Sequence, residues 1–182
     1  MEALAGAGCQ PLVVVVPAEA VEEVSTLAGR FDADLVIGGE SRQRSVARGL
    51  ERVDAARVVV HDAARPFVTA EEVRRAAAAL DDADGAVTAV PVEETLKVVE
   101  GARIVATMDR TSLWRAQTPQ AFRVAVLRAA HQRAAEEGYE GTDDAQLLER
   151  YGAKVVVVRG SRRNLKLTFA EDFALAEAMM RT

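Results

Sequence analysis

Short runs of apolar, mostly β-branched residues recur through this chain, and segments with helical spacing separate them. Runs that are apolar throughout are typical of strands buried on both faces of a parallel sheet. Strands that alternate with helices pair in parallel, because each crossover helix returns the chain to the same edge of the sheet. The sequence therefore predicts an α/β fold with helices on both faces of a mostly parallel sheet. The predicted strands are Leu12 to Pro17, Leu35 to Ile37, Arg57 to His61, Ala86 to Val90, Lys154 to Val158 and Leu165 to Thr168.

Capping signals mark where the intervening helices begin. Ser41 can cap a helix that runs to about Leu50, and the capping box Thr69-Ala70-Glu71-Glu72 opens a helix through Leu80. The other predicted helices are Ala18 to Gly29, Ala121 to Glu137, a short helix capped by Thr142, and a last helix from the capping box Thr168-Phe169-Ala170-Glu171 to about Met180.

Residues 91–118 break the alternation of strand and helix. Glu100-Gly101 has the composition of a turn, and Ile104 to Thr107 can return as a strand. We therefore expect a projecting β-hairpin, the arm, within a single domain that spans residues 1–182. A surface hairpin without a partner is the alternative to an arm that contacts another subunit.

Length, charge and cysteine content narrow the class of protein. A chain of 182 residues can bury a proper core as one domain, and its formal net charge of -5 argues against a general nucleic-acid binder. Cys9 is the only cysteine, so no intramolecular disulfide can form. The start of the sequence lacks signal-peptide character, and Leu12 to Val16 is too short to span a bilayer. We therefore expect a cytoplasmic enzyme that binds neither membrane nor nucleic acid.

The loop after the third predicted strand carries the strongest chemical signal. Val58-Val59-Val60 leads into Asp62, Arg65 and Pro66, and chemistry in open α/β sheets lies just beyond the carboxyl ends of strands. Asp62 can hold a divalent cation, and Arg65 can pair with phosphate oxygens. A turn with a local salt bridge explains the same residues equally well. Lys166, within a predicted apolar strand, needs an anionic partner because an unpaired buried ammonium is costly.

Six segments, in the same order, resemble the signature of 2-C-methyl-D-erythritol 4-phosphate cytidylyltransferases, enzymes of the non-mevalonate isoprenoid pathway. The resemblance implies a Rossmann-like three-layer nucleotidyltransferase fold and covers nearly all of the chain. Beyond the loop from Val58 to Pro66, the matching segments are Gly38 to Val46, Pro91 to Lys97, Asp109 to Trp114 with Gln117 to Phe122, Thr142 to Ala145, and Asn164 to Thr168.

The resemblance implies transfer of CMP from CTP to 2-C-methyl-D-erythritol 4-phosphate, with release of pyrophosphate. Asp62 would hold Mg²⁺, and Arg110 and Lys166 would be the catalytic cations that position the acceptor. The residues implied for nucleotide binding are Gly38, Gly39, Ser45, Ala63 and Arg65, and those implied for acceptor binding are Thr95, Thr118, Thr142 and Asp143. Read without the resemblance, Thr142 is a helix cap, Thr118 shapes a turn before Pro119, and His61 packs in the core.

The resemblance also implies a homodimer. In the family the arm clasps a second subunit, so Thr95 and Arg110 would serve the neighbouring subunit's site. Under that reading each site is shared, and dimerisation is required for turnover.

Family members begin with a strand, a glycine-rich loop with an arginine, and a Pro-Lys-Gln segment, and this sequence contains no counterpart. Either the sequence is incomplete at its start or the protein itself is shortened, and we expect an N-terminally shortened member of an active family, with unpaired backbone groups and a slot in the core. Three alternatives remain: an inactive sugar-phosphate-binding module, a cytidylyltransferase for ribitol 5-phosphate, and a generic doubly wound domain. In addition, Arg162-Arg163 stands before Asn164 where some relatives carry acids, which puts a second metal-binding carboxylate in doubt.

Overall fold

The structure is a computed structural model that describes residues 1–181, in which helices flank three small sheets. The strands are β1 (Val13–Val16), β2 (Asp34–Ile37), β3 (Arg57–Val60), β4 (Gly85–Pro91), β5 (Lys97–Glu100), β6 (Arg103–Thr107), β7 (Trp114–Arg123) and β8 (Val155–Arg159). The helices are α1 (Glu2–Gly6), α2 (Val21–Gly29), α3 (Arg42–Leu50), α4 (Ala70–Ala78), α5 (Val124–Glu137), α6 (Asp144–Arg150) and α7 (Ala170–Met180). The predicted α/β fold is confirmed, but the sheets are mixed rather than mostly parallel, because β7 enters the largest sheet antiparallel to both of its neighbours.

Two of the predicted helix caps are present, and two were placed one residue too early. The Ser41 side chain caps α3, and Thr69 and Glu72 form a complete capping box at α4. At α6 the cap is Asp143 rather than Thr142, because the extended Asp143 backbone lets its carboxylate accept the Gln146 N–H at 2.9 Å. The last helix begins at Ala170, and Asp172 rather than Glu171 accepts the backbone N–H groups before it.

The largest sheet has the strand order β3-β7-β4-β8, and its second strand was not predicted. β7 runs antiparallel to both β3 and β4, whereas β4 and β8 are parallel. The sequence pattern predicted a helix from Ala121 and no strand directly before it. Residues 114–120 mix apolar side chains with Gln117, Thr118 and Gln120, and therefore lack the pattern of a buried strand. Pairing on both edges buries those polar residues, so the strand forms without a continuous apolar pattern.

Residues 165–168 were predicted as a strand and instead form a loop. The loop is held to the segment after β3 by one backbone hydrogen bond, from Leu167 N–H to the Ala64 carbonyl at 2.8 Å. This bond lays the loop beside Asp62 rather than in the sheet. Lys166 is therefore half-exposed instead of buried in a strand.

β1 and β2 pair in parallel but form a sheet of their own. Among residues 1–181, no backbone ladder joins them to the four-stranded sheet. A cavity of about 490 Å³ lies between β1 and β3 and reaches Arg42 and Asp62 at one end. Its apolar lining includes Leu12, Val13, Val14, Val15, Val46, Leu50, Val53, Val58, Val59, Val60 and Leu80.

The arm is a two-stranded antiparallel hairpin of β5 and β6, as predicted, and every residue of both strands is exposed. Its apolar side chains include Val99 at 52% exposure and Ile104 at 59%. Gly101 has φ of +60° at the turn, a conformation that favours glycine. In the part of the chain that the structure describes, no helix has both the length and the apolar character needed to cross a membrane.

We predict that the Phe122→Ala variant loses about 3–5 kcal/mol of unfolding free energy, because Phe122 is fully buried in the core between β7 and α5. The Phe173→Ala variant is the matched control, since Phe173 is 57% exposed on α7. Urea denaturation followed by circular dichroism measures both. A similar loss in the two variants would contradict the assigned core.

Candidate active site

Asp62 lies directly after β3 and is surrounded by three cationic side chains. Its Oδ1 accepts from Arg42 Nε at 3.1 Å, and its Oδ2 accepts from Lys166 Nζ at 3.1 Å. Arg65 Nε lies 4.0 Å from Oδ2. The Asp62 side chain is only 16% exposed, so little water screens these charges. Of the expected group of Asp62, Arg110 and Lys166, the structure brings Asp62 and Lys166 together within one chain, with Arg65 and Arg42 beside them.

The surrounding charges keep Asp62 ionised. Burial alone would raise the pKa of Asp62, but the charge of Arg42 and the hydrogen bond from Lys166 outweigh it and lower the pKa below its ordinary value. Burial lowers the pKa of Arg42, yet its pairing with Asp144 and Asp62 raises the pKa overall. The carboxylate and the guanidinium therefore both carry full charge at neutral pH.

A buried hydroxyl on β7 fixes the backbone of the Asp62 loop. Thr118 Oγ1 accepts the Asp62 N–H at 2.9 Å and contacts His61 Nδ1 at 3.1 Å. The other ring nitrogen of His61 lies 3.0 Å from the Arg65 carbonyl, which can only accept, so Nε2 carries the proton and Nδ1 accepts from Thr118. Burial lowers the pKa of His61, which keeps the ring neutral. His61 braces the loop, in line with the packing role expected for it.

A second set of buried bonds positions the loop that carries Lys166. Asn164 is fully buried, and its Nδ2 donates to the Thr118 carbonyl at 2.8 Å. The Asn164 carbonyl accepts from Arg65 Nη1 at 2.9 Å and from Gln117 Nε2 at 3.1 Å. Thr118 is therefore 3% exposed with its hydroxyl engaged, and its role in acceptor binding stays a prediction.

The glycine turn before α3 is closely packed against the helix. The Gly39 N–H donates to Ser45 Oγ at 3.0 Å, and Ser45 Oγ donates to the Ser41 carbonyl at 2.9 Å. A Cβ on Gly38 would lie 2.7 Å from Ser45 Oγ, and one on Gly39 would lie 2.5 Å from Arg44 Cβ. Only glycine fits at both positions, which explains the Gly-Gly pair. Ala63 follows Asp62 in the next loop, and both line the cavity.

The residues predicted to bind the acceptor are divided between two regions. Asp143 Oδ2 accepts from Gln120 Nε2 at 2.8 Å, and the adjacent Thr142 donates to Gln146. Thr95 and Arg110 lie exposed on the arm segment, where Arg110 donates to the Glu93 carbonyl. Among the described residues, Asp62 pairs with Arg42, Arg65 and Lys166, so Arg110 of the same chain is not in this cluster.

Asp62 is the candidate ligand for a divalent cation. Within residues 1–181 no group of three or more His, Cys, Asp or Glu side chains is placed to hold a metal. Mg²⁺ is commonly bound by one or two carboxylates together with substrate phosphates and water. A single ionised carboxylate among cations fits that mode and does not fit a structural metal site.

Comparison with known proteins gives one consistent family. The family model for 2-C-methyl-D-erythritol 4-phosphate cytidylyltransferase matches residues 1–182. A relative of that name from Bacillus velezensis is 45% identical over 181 residues, covering 96% of this chain and 78% of the relative. A relative of the same name from Geobacter metallireducens is 44% identical, covering 93% and 78%.

Solved structures agree with these sequence matches. The crystal structure of the Thermus thermophilus 2-C-methyl-D-erythritol 4-phosphate cytidylyltransferase has a TM-score of 0.89 at 37% identity, covering 100% of this chain and 88% of that one. The 4-diphosphocytidyl-2C-methyl-D-erythritol synthase of Anaerococcus prevotii has a TM-score of 0.91 at 26% identity, covering 100% and 86%.

We predict that the Thr118→Val variant loses about 1–3 kcal/mol of unfolding free energy, because the Asp62 N–H and His61 Nδ1 lose their partner while the side-chain shape is kept. The Thr26→Val variant on the exposed side of α2 should stay within about 0.5 kcal/mol of the wild type. Urea denaturation provides the comparison, and equal stability of the two variants would count against the bracing role.

Proposed function

Because this chain belongs to the 2-C-methyl-D-erythritol 4-phosphate cytidylyltransferase family, we propose that it transfers CMP from CTP to 2-C-methyl-D-erythritol 4-phosphate, releasing pyrophosphate. The observation that carries the proposal is the ionised Asp62, set among three cations beside a glycine turn. The cytoplasmic location expected from the sequence stays a prediction.

The reaction needs positioning and charge neutralisation rather than covalent help from the protein. A phosphate oxygen of the acceptor attacks the α-phosphorus of CTP, and the bond from that phosphorus to the bridging oxygen breaks as pyrophosphate leaves with the electron pair. Such displacements are accelerated by holding two anions in line and by neutralising charge on the transferred group. Arg65 and Lys166, both beside Asp62, supply positive charge where the phosphates would meet.

We propose that Asp62 holds Mg²⁺ that arrives with the triphosphate. The ion, when bound, neutralises phosphate charge next to the reacting phosphorus. Its two positive charges would repel the cations that already face Asp62. Lys166 is the least restrained of these, since it is 46% exposed, whereas Arg42 and Arg65 are held by Asp144 and by the Asn164 carbonyl. Lys166 is thus the cation that is free to turn toward the acceptor phosphate.

On the nucleotide side, the Gly38-Gly39 turn and Ser45 would lie against base and ribose, with Ala63 and Arg65 beside the phosphates. Ser45 Oγ accepts the Gly39 N–H and so holds the turn against the first turns of α3. On the acceptor side, Thr142 and Asp143 precede α6, and Thr118 lies behind the Asp62 loop.

We further propose a homodimer in which the arm of one subunit brings Arg110 and Thr95 to the site of the other. The exposed apolar face of β5 and β6 supports this, because such a surface is a common mark of an interface. Arg110 is not among the side chains paired with Asp62 of its own chain, which is consistent with action on a neighbour.

We predict that the Ile104→Lys variant is monomeric, because a charge on the apolar face of the arm must be desolvated on association. Size-exclusion chromatography with light scattering measures the mass. The Leu27→Lys variant on α2, where Leu27 is 45% exposed, is the control and should remain dimeric. A dimeric Ile104→Lys variant, or a monomeric wild type, would contradict the proposed arm contact.

The activity is tested by pyrophosphate release from CTP and Mg²⁺ with 2-C-methyl-D-erythritol 4-phosphate, and separately with ribitol 5-phosphate. We expect release with the first acceptor, and the Asp62→Asn variant should lower kcat/KM by about 100-fold or more. The Asp81→Asn variant removes an exposed carboxylate that pairs with Arg57 and should leave the rate unchanged.

Calorimetry separates an enzyme from a binding module. Mg²⁺-dependent CTP binding that is lost in Asp62→Asn supports the enzyme. Binding of the sugar phosphate without CTP binding, together with no pyrophosphate from either acceptor, would overturn the proposed activity in favour of a module.

A further inference from the structure

Arg42, in the first turn of α3, joins the active-site carboxylate to a second, fully buried carboxylate. Its Nε donates to Asp62 Oδ1 at 3.1 Å, and its Nη1 donates to Asp144 Oδ2 at 2.7 Å. The planar guanidinium can address two carboxylates at once because its donors point in fixed directions. A lysine at this position would offer one flexible ammonium instead.

The far end of this chain of bonds is anchored in the core. Asp144 is 1% exposed, and its other carboxylate oxygen binds His131 Nε2 at 3.0 Å, where His131 is 7% exposed. An isolated buried carboxylate is costly, so Asp144 holds Arg42 firmly and Arg42 in turn neutralises Asp144. The guanidinium is therefore fixed from the side that faces away from the site.

Gln43, the next residue of α3, also connects this helix to the α6 region, through bonds from its side chain to backbone groups. Gln43 Nε2 donates to the Tyr139 carbonyl at 3.0 Å, and Gln43 Oε1 accepts the Gly141 N–H at 2.8 Å. Both groups of this amide are used on the loop before α6. The first turn of α3 is thus tied to the α6 region by two successive side chains, which leaves Arg42 little freedom to move.

The consequence concerns the orientation of Asp62. With Oδ1 bound to Arg42, the atom left for an incoming cation is Oδ2, which faces Lys166. By charge alone, Arg42 would weaken the binding of any cation at Asp62. Its contribution must then come from geometry, that is, from holding the carboxylate so that Oδ2 points to the open side.

We propose that Arg42 is a positioning residue for the metal-binding carboxylate, acting through Asp62 and anchored by Asp144 and His131. The proposal rests on the proposed function, because it assigns Asp62 to a divalent cation carried by the nucleotide. The proposal goes beyond that function because it assigns Arg42 to orient the Asp62 carboxylate rather than to contact the substrates. Partners of this kind, which orient a metal ligand, change metal affinity or activity by about 10- to 100-fold when altered.

The test uses the Arg42→Lys variant, which keeps the positive charge and removes the planar guanidinium that can bind two carboxylates at once. Electron paramagnetic resonance of free Mn²⁺ gives the affinity of the protein for Mn²⁺ in the presence of CTP, without turnover. We expect affinity to fall by about 10-fold. The Arg44→Lys variant is the control two residues along the same helix, where Arg44 is 68% exposed and pairs with Glu40, and it should bind as the wild type does.

Two further measurements separate positioning from a merely structural effect. In the Asp62→Asn background, Arg42→Lys should cause no additional loss of Mn²⁺ affinity, because Arg42 acts through Asp62. In the pyrophosphate assay, a high Mg²⁺ concentration should restore the rate of Arg42→Lys, whereas a misfolded fraction would stay inactive at every concentration.

Unchanged Mn²⁺ affinity in Arg42→Lys, an equal loss in Arg44→Lys, or a further loss when Arg42→Lys is added to Asp62→Asn would each overturn the proposal. Absence of Asp62-dependent Mn²⁺ binding in the wild type would also overturn it. Asp62-dependent binding that Arg42→Lys weakens, with no pyrophosphate from either acceptor, would reject the proposed function and uphold the positioning role.

Discussion

The rest of the site depends on a chain of ion pairs. It runs from Lys166 through Asp62 and Arg42 to the buried Asp144. Two carboxylates and two cations alternate along it, with contacts of 3.1, 3.1 and 2.7 Å. Each buried charge is tolerable because its neighbour has the opposite sign. Removing Asp62, Arg42 or Asp144 therefore leaves a neighbouring charge without its partner, whereas Lys166 is half-exposed and less restrained.

That network also connects parts of the fold that have no backbone ladder between them. Within residues 1–181, β1 and β2 are separated from the four-stranded sheet by a cavity of about 490 Å³. α3 follows β2 and bridges this gap through polar bonds: Arg42 reaches Asp144, Gln43 binds the loop before α6, and Arg128 of α5 donates to the carbonyls of Leu50 and Val53. α3 is thus held by these polar bonds together with the packing of Val46 and Leu50 in the apolar core.

β7 has a corresponding role for the loops that carry Asp62, Asn164 and Asp143. It lies between β3 and β4, and its buried polar residues project toward loops rather than into an apolar core. Thr118 braces the Asp62 backbone, Gln117 holds the Asn164 carbonyl, and Gln120 holds Asp143. One strand therefore aligns three loops, which explains why polar residues occupy a central strand.

The sequence by itself determined the α/β class, most strand and helix positions, the arm, and the candidacy of Asp62, Arg65 and Lys166 as site residues, because these follow from local patterns and ordered motifs. It could not give β7, whose stability comes from two neighbours distant in the chain, or the Asp143 cap, which depends on one backbone angle. Only the tertiary structure decided that Arg42 and Asp144, 102 positions apart, share an ion pair, because burial and the path of the chain bring them together. A sequence shows which charged residues will need an ion-pair partner when they are buried, whereas the tertiary packing determines which residue that partner is.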